Sequence, residues 1–207
     1  IGLVGSEMCI RDSNKSLFLA AGKKVFGWFD FENNLNSGNY SFDMNTSSIG
    51  SINFSSLRGV AYNGEFFALG ETDNKNIYIW KGIPGLNDEP DYIIQNPVGV
   101  GRIDMNEEWL VVSAYPGAGS PVHVIKLANL DSGIMLSVPG NDDFPQGVSI
   151  NEKGFFIALQ GSNKVVGWSS VQDALNGSSP TMSFGGTTNK TNSGTKMAST
   201  VHWDGFH

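Results

Sequence analysis

The stretch Phe66-Phe67-Ala68-Leu69-Gly70-Glu71-Thr72-Asp73-Asn74-Lys75-Asn76-Ile77-Tyr78-Ile79-Trp80 reads as two short strands joined by a polar turn. Phe66 to Leu69 is an apolar run, Thr72-Asp73-Asn74 is turn chemistry, and Lys75 to Trp80 alternates with the two-residue period of a half-buried strand. The same pairing recurs along the chain. Apolar runs begin at Leu17, Phe66, Trp109 and Phe155. Alternating segments follow at Lys23–Trp28, Lys75–Trp80, Ser120–Ile125 and Asn163–Trp168, whose last residues lie 52, 45 and 43 positions apart.

Each pair has a third strand before it and a fourth after it. The upstream strands are Gly59-Val60-Ala61-Tyr62, Arg102-Ile103-Asp104-Met105 and Gly147-Val148-Ser149-Ile150, with Ser199-Thr200-Val201-His202 beginning another. Downstream, beyond loops carrying Leu35, Leu86, Leu130 and Leu175, outer strands are predicted from Tyr40, Asp91, Ile134 and Thr181. Four antiparallel strands in about 45 residues is the unit of a β-propeller blade. A β-sandwich would not repeat one four-strand signature. A βαβ arrangement needs helices of roughly 10–15 residues, and only Ser169–Leu175 offers even a turn or two. The expected fold is all-β, with blades at about 16–44, 57–96, 100–139 and 145–186, and a further one begun at 198–207.

Composition narrows the function. Thirteen Lys and Arg stand against 20 Asp and Glu, a net charge of −7 without a basic cluster, so neither nucleic acid nor an anionic lipid surface is an expected partner. No apolar run approaches the ~18 residues of a membrane-spanning helix, so no membrane insertion is expected. One cysteine, Cys9, cannot build a disulfide framework or a Cys-based zinc site. The 26 glycines and 8 prolines suit a turn-rich β protein.

The unit resembles the NHL-type propeller repeat. Pro145-Gln146-Gly147-Val148 matches its opening, Asn163-Lys164-Val165 with Trp168 its third strand, and Asn76 to Pro84 followed by Asp91-Tyr92-Ile93-Ile94 its strand–loop–strand pattern. That family often closes the second strand with Asp, where this chain has Glu71, Ala114 and Gln160. Such propellers commonly have six blades, so the resemblance implies a fragment of about four. A second resemblance concerns the start of the chain. Val4 to Ser13 is similar to translated sequencing-adapter read-through from metagenome assemblies, which makes Ile1–Ser13 an expected non-native or disordered segment ahead of a partial propeller at 14–207.

No catalytic signature emerges. Gly147-Val148-Ser149-Ile150-Asn151 fails the nucleophile-elbow pattern at its last position, and Gly22-Lys23-Lys24 is not a phosphate loop. His123, His202 and His207 share no ligand spacing, so no metal or cofactor is expected. Asp88-Glu89-Pro90-Asp91 and Asp142-Asp143 read as solvated acidic loops. Trp28, Trp80, Trp109 and Trp168 recur at strand positions that suit packing between blades rather than sugar stacking.

The candidate binding residues are Arg58, Arg102 and Gln146, each at the turn into a first strand, where a propeller opens onto its channel rim. Converging arginines there would meet an anion. The expected function is a non-enzymatic binding or interaction scaffold whose ligand, protein, glycan or small molecule, is not specified by the residues. Scarce cysteine and an Asn/Ser/Gly-rich surface point to an exported, extracellular or periplasmic protein. Sequon-like triplets at Asn14, Asn39, Asn45, Asn53, Asn176 and Asn189 are compatible with that. The alternative is a metal-dependent enzyme resembling lactonase or amidating-lyase propellers, although the lactonase pattern has Asn where Gln146 stands.

Overall fold

The computed structural model describes residues 7–10, 16–38, 41–115, 121–138, 145–160, 162 and 164–185. The chain divides into two compact units, Ile1–Val100 and Gly101–His207.

In the first unit, β1 (Glu7–Ile10), β2 (Leu17–Ala21), β3 (Lys24–Trp28) and β4 (Met44–Thr46) form one antiparallel sheet in sequence order, with α1 (Phe31–Asn36) between β3 and β4. The hairpin β5 (Ser48–Ile49) and β6 (Ile52–Asn53) leads to a second sheet of β7 (Leu57–Tyr62), β8 (Phe66–Glu71), β9 (Asn76–Lys81) and β10 (Tyr92–Gln95). The second unit holds the other two sheets. One is β11 (Val100–Met105, starting at the unit boundary), β12 (Trp109–Ala114), β13 (Val122–Lys126) and β14 (Asn129–Leu136). The other is β15 (Pro145–Asn151), β16 (Gly154–Leu159), β17 (Lys164–Trp168) and, after α2 (Val171–Leu175), β18 (Met182–Gly185). Each sheet is a meander in which every strand pairs with its neighbour in sequence.

Besides α1, a helical turn at Phe31–Asn36 where only Ser169–Leu175 was expected to offer one, three expectations are corrected. Glu7–Ile10 is not outside the sheets, because β1 pairs antiparallel with β2 from Glu7↔Ala20 to Ile10↔Leu17. It supplies backbone partners along the edge of β2 and gives the first sheet four strands instead of three. Glu-Met-Cys-Ile is too short to display alternation, so no local pattern marks it as a strand. The fourth strand of that sheet is Met44–Thr46, not the segment from Tyr40. Asp43 N–H donates to the Gly27 carbonyl, the Asp43 carboxylate accepts Phe29 N–H at 2.6 Å, and Met44 is the first residue to turn inward. Third, β14 begins at Asn129, so Leu130 lies in a strand rather than a loop, after a register shift between Val124 and Lys126. Expected features at Tyr40, Asp142, Asp143 and 198–207 lie outside the described residues, as do Asn14, Asn39 and Asn189.

The cores follow the alternation. In the first unit Phe18, Ala20, Val25 and Met44 from one sheet cluster with Val60, Tyr62, Phe67, Leu69, Tyr78 and Trp80 from the next. The ring of Phe67 meets Phe18 edge-on at 4.9 Å. In the second unit Trp109, Val111, Val122 and Val124 pack on Val148, Phe155, Ile157, Val166 and Trp168. Burying one such large side chain stabilises by roughly 1.5–3 kcal/mol. Glycine at Gly27 and Gly167 has a packing cause: a Cβ there would run into the rings of Phe18 and Phe156.

The pairings fix which residues are equivalent. Leu17↔Trp28, Phe67↔Trp80, Leu110↔Ile125 and Phe155↔Trp168 stand at one position in the four sheets. Three tryptophans therefore occupy the end of the third strand, whereas Trp109 opens a second strand one residue before that position. Trp80 and Trp168 are buried, and each indole N–H donates to a carbonyl of the following loop, Asp88 at 3.1 Å and Ser178 at 2.8 Å.

Candidate binding site at the first strands

The first strands carry a repeated device at their far ends. Asn63 and Asn106 each accept two backbone N–H groups of the following turn through Oδ1, from Glu65 and Phe66 and from Glu108 and Trp109, at 2.7–3.0 Å. Asn151 accepts from Lys153 N–H at 2.9 Å. These Asx turns hold the loop between first and second strands, which leaves the opposite ends, with Arg58, Arg102 and Gln146, as the strand openings.

Arg58 and Gln146 are the second residues of β7 and β15, each directly before a glycine, and the register of both strands shifts there. Arg102 is the third residue of β11, directly after Gly101. The three are therefore not equivalent positions. Arg102 stands where the other two strands have Gly59 and Gly147, and a strand offset of one residue turns a side chain to the other face. All three are partly exposed.

Arg102 and Gln146 are tied through their backbones. The fully buried Ser113 hydroxyl accepts Arg102 N–H at 2.7 Å and reaches the Gln146 carbonyl at 3.1 Å. Nearby, the buried Asp104 carboxylate accepts Ile150 N–H at 2.8 Å and Met105 N–H at 2.9 Å, joining β11 to β15. Burial pushes the Arg102 guanidinium down to about 10, so it remains charged at neutral pH.

The opening at Arg58 is held differently. Glu71, at the end of β8, is fully buried and accepts Ser55 N–H and hydroxyl and Ser56 N–H on one oxygen. Its other oxygen accepts the Asn74 amide and the Tyr78 hydroxyl. Burial alone would raise this carboxyl, but the hydrogen bonds from Ser55, Asn74 and Ser56 outweigh it and hold Glu71 below the ordinary carboxylate value. The caged carboxylate thereby fixes Ser55-Ser56, which leads straight into Leu57 and Arg58. By register Glu71 corresponds to Leu159, which pairs with Pro145 as Glu71 pairs with Leu57, so Gln160 is not its counterpart.

Ser113, Asp104 and Glu71 were missed as site-building residues. Their signal is a polar side chain inside an otherwise apolar strand, visible in Phe66-Phe67-Ala68-Leu69-Gly70-Glu71 and Trp109-Leu110-Val111-Val112-Ser113. The Asp88-Glu89-Pro90-Asp91 loop is exposed as expected, yet its carboxylates also organise it. Asp88 accepts Gly85 N–H, Asp91 accepts Lys81 N–H, and Glu89 binds Ser51 N–H and hydroxyl at 2.7 Å.

Among the described residues, no group of three or more His, Cys, Asp or Glu side chains is placed to hold a metal ion. His123 is buried on β13, where burial lowers its imidazole below the ordinary value and favours the neutral ring. His202 and His207 lie outside the described residues. None of the helices among them is long and apolar enough to cross a membrane.

No family model matches the chain, and no curated protein matches it either. Solved structures do. One is the crystal structure of the Myceliophteria thermophila Cps50 (Swd1) β-propeller domain, with a TM-score of 0.56 and 6% identity, covering 86% of this chain and 53% of that one. The chain thus spans about half the length of that domain. At this identity the likeness shows the fold alone: the chain is an all-β protein of four-stranded antiparallel sheets with the fold of a β-propeller.

Proposed function

We propose that the chain is a non-enzymatic binding scaffold of the NHL propeller type, part of an exported protein, and that Arg58 in the first unit, and Arg102 and Gln146 in the second, each contribute contacts to anionic ligands at their own first-strand openings. The observation that carries this reading is the rigid mounting of those openings. Buried Glu71 and Ser113 immobilise the backbone beside side chains that remain partly exposed, which lowers the ordering cost of binding. Guanidinium groups attract carboxylate, sulfate or phosphate, and more weakly as salt rises. A propeller fold supports an interaction role because loops on a rigid frame vary without loss of the core.

The test is titration of the chain with inorganic sulfate, inorganic phosphate and a polyglutamate peptide, followed by calorimetry at low and high salt. Salt-sensitive binding of at least one probe is expected, lost in Arg58→Gln with Arg102→Gln while the unfolding midpoint is unchanged. Binding that survives the double substitution, or no binding of any probe, would overturn the assignment of these residues.

A further inference from the structure

Asparagine followed by glycine is chemically labile. Glycine has no Cβ to shield its amide nitrogen, so that nitrogen can attack the Cγ of the asparagine before it. The chain has two such pairs, Asn63-Gly64 and Asn176-Gly177. Their local hydrogen bonds hold them to different degrees.

Asn63 sits in the turn between β7 and β8, next to the Tyr62↔Phe67 pair. Its Oδ1 accepts Glu65 N–H at 3.0 Å and Phe66 N–H at 2.7 Å, and its own N–H donates to the Phe66 carbonyl at 3.2 Å. The Tyr62 hydroxyl donates to the Gly64 carbonyl at 3.0 Å. Both the carboxamide and the peptide that would attack it are thus anchored to two paired strands.

Asn176 caps the C-terminus of α2, whose five residues are too few for a helix to persist unaided. The bond from Ala174 N–H to the Ser170 carbonyl is stretched to 3.5 Å. Asn176 N–H donates to the Gln172 carbonyl at 2.9 Å and Gly177 N–H to the Ala174 carbonyl at 3.1 Å. Among the described residues the carboxamide itself has one tie, Oδ1 accepting Gln172 Nε2 at 3.0 Å. Opening this last turn breaks only bonds at a helix end, where local unfolding takes least free energy.

We propose that Asn176-Gly177 is a self-modification site of the second unit, converted in the folded protein to aspartate or isoaspartate while Asn63-Gly64 persists. As the last turn opens, the Gly177 amide nitrogen gives its proton to hydroxide and bonds to Asn176 Cγ. The Cγ–Nδ2 bond breaks, and Nδ2 takes a proton from water and departs as ammonia, leaving a succinimide ring. Water then opens the ring at Cγ, giving aspartate, or at the backbone carbonyl of residue 176, giving isoaspartate.

Either product adds a negative charge at the C-terminal end of α2, which has no basic residue in its last turn and where the helix dipole is itself negative. α2 presents Val171 and Ala174 to the cluster that holds Trp168. Ser178, two residues past Asn176, takes the Trp168 indole N–H on its carbonyl, and its own N–H donates to the Asp173 carbonyl at 3.1 Å. Modification therefore loosens the loop that seats Trp168.

The whole chain is held for several weeks in mildly alkaline buffer at physiological temperature, beside a sample kept unfolded in urea. Fragment-ion mass spectrometry of proteolytic peptides follows the rise of about 1 Da at each asparagine. In the folded chain Asn176 should convert at least about fivefold faster than Asn63, and in urea the two rates should lie within about twofold. Equal rates in the folded chain, faster conversion at Asn63, or an unchanged Asn176 while the urea sample reacts overturns the proposal. So does a difference of the same size in urea, which would place its cause in the flanking residues. Asn176→Asp reproduces one product directly. In that variant hydrogen exchange at the Ser178 amide should accelerate at least about threefold, with Val60 unchanged. An unaltered Ser178 amide overturns the effect on the loop that seats Trp168.

Discussion

The Tyr78 hydroxyl donates to the Glu71 carboxylate at 3.0 Å, joining β9 to the end of β8 where both side chains are buried. Burial raises the Tyr78 phenol above its ordinary value, and the Glu71 charge adds to that, against the amide of Asn76. The pair holds the phenol protonated as a donor and the carboxyl ionised as an acceptor.

Glu71 makes stability depend on acid. Its folded value is lowered, so its contribution is present above the unfolded value near 4.5 and is lost as pH falls through the lower folded value. Glu71→Gln keeps the shape but loses charge-assisted acceptance and should cost about 2 kcal/mol at neutral pH. Urea midpoints between neutral pH and pH 3 should fall less steeply in Glu71→Gln than in the unaltered chain.

Phe67 tests the packing between the first two sheets. Its ring meets Phe18 at 4.9 Å and Trp80 at 6.1 Å and is fully buried. Phe67→Ala should cost roughly 3–5 kcal/mol in chemical denaturation, against a change within about 0.5 kcal/mol for Ile93→Ala on the exposed face of β10.

Asp104 joins the two sheets of the second unit. Replacing it by Ala leaves the Ile150 N–H without the acceptor now 2.8 Å away. A loss of about 1–3 kcal/mol is expected. Hydrogen exchange at the Ile150 amide should accelerate more than exchange at Val60 in the other unit.

Gly133 lies beneath the imidazole of His123, and a Cβ at that position would collide with Nε2. Gly133→Ala should destabilise by about 1–3 kcal/mol. Adding His123→Ala should recover part of the loss in a double-mutant cycle, since the clash then has no partner.

Residue order alone determined the repeating unit. Strand period, turn residues and spacing are local properties, so the second and third strands of all four sheets, and α2 from Ser169–Leu175, were legible before any contact was known. Arg58 and Gln146 could be placed beside their glycines for the same reason. What depended on the tertiary structure was partnership. Four residues at Glu7–Ile10 become a strand only because β2 has an edge to pair with, and α1 appears where Asp30, at φ 49°, turns the chain after β3. The offset of Arg102 is a matter of register, which depends on the facing strand and not on the sequence around the arginine. Glu71 reads as one acidic residue after an apolar run. It becomes a caged anchor because Ser55, from the segment ahead of β7, and Asn74 and Tyr78, from across the β8–β9 turn, converge on it. Likewise, alternation marks Trp28, Trp80 and Trp168 alike as apolar. Which of them is buried depends on whether another sheet lies against its face, a long-range contact that no local pattern encodes.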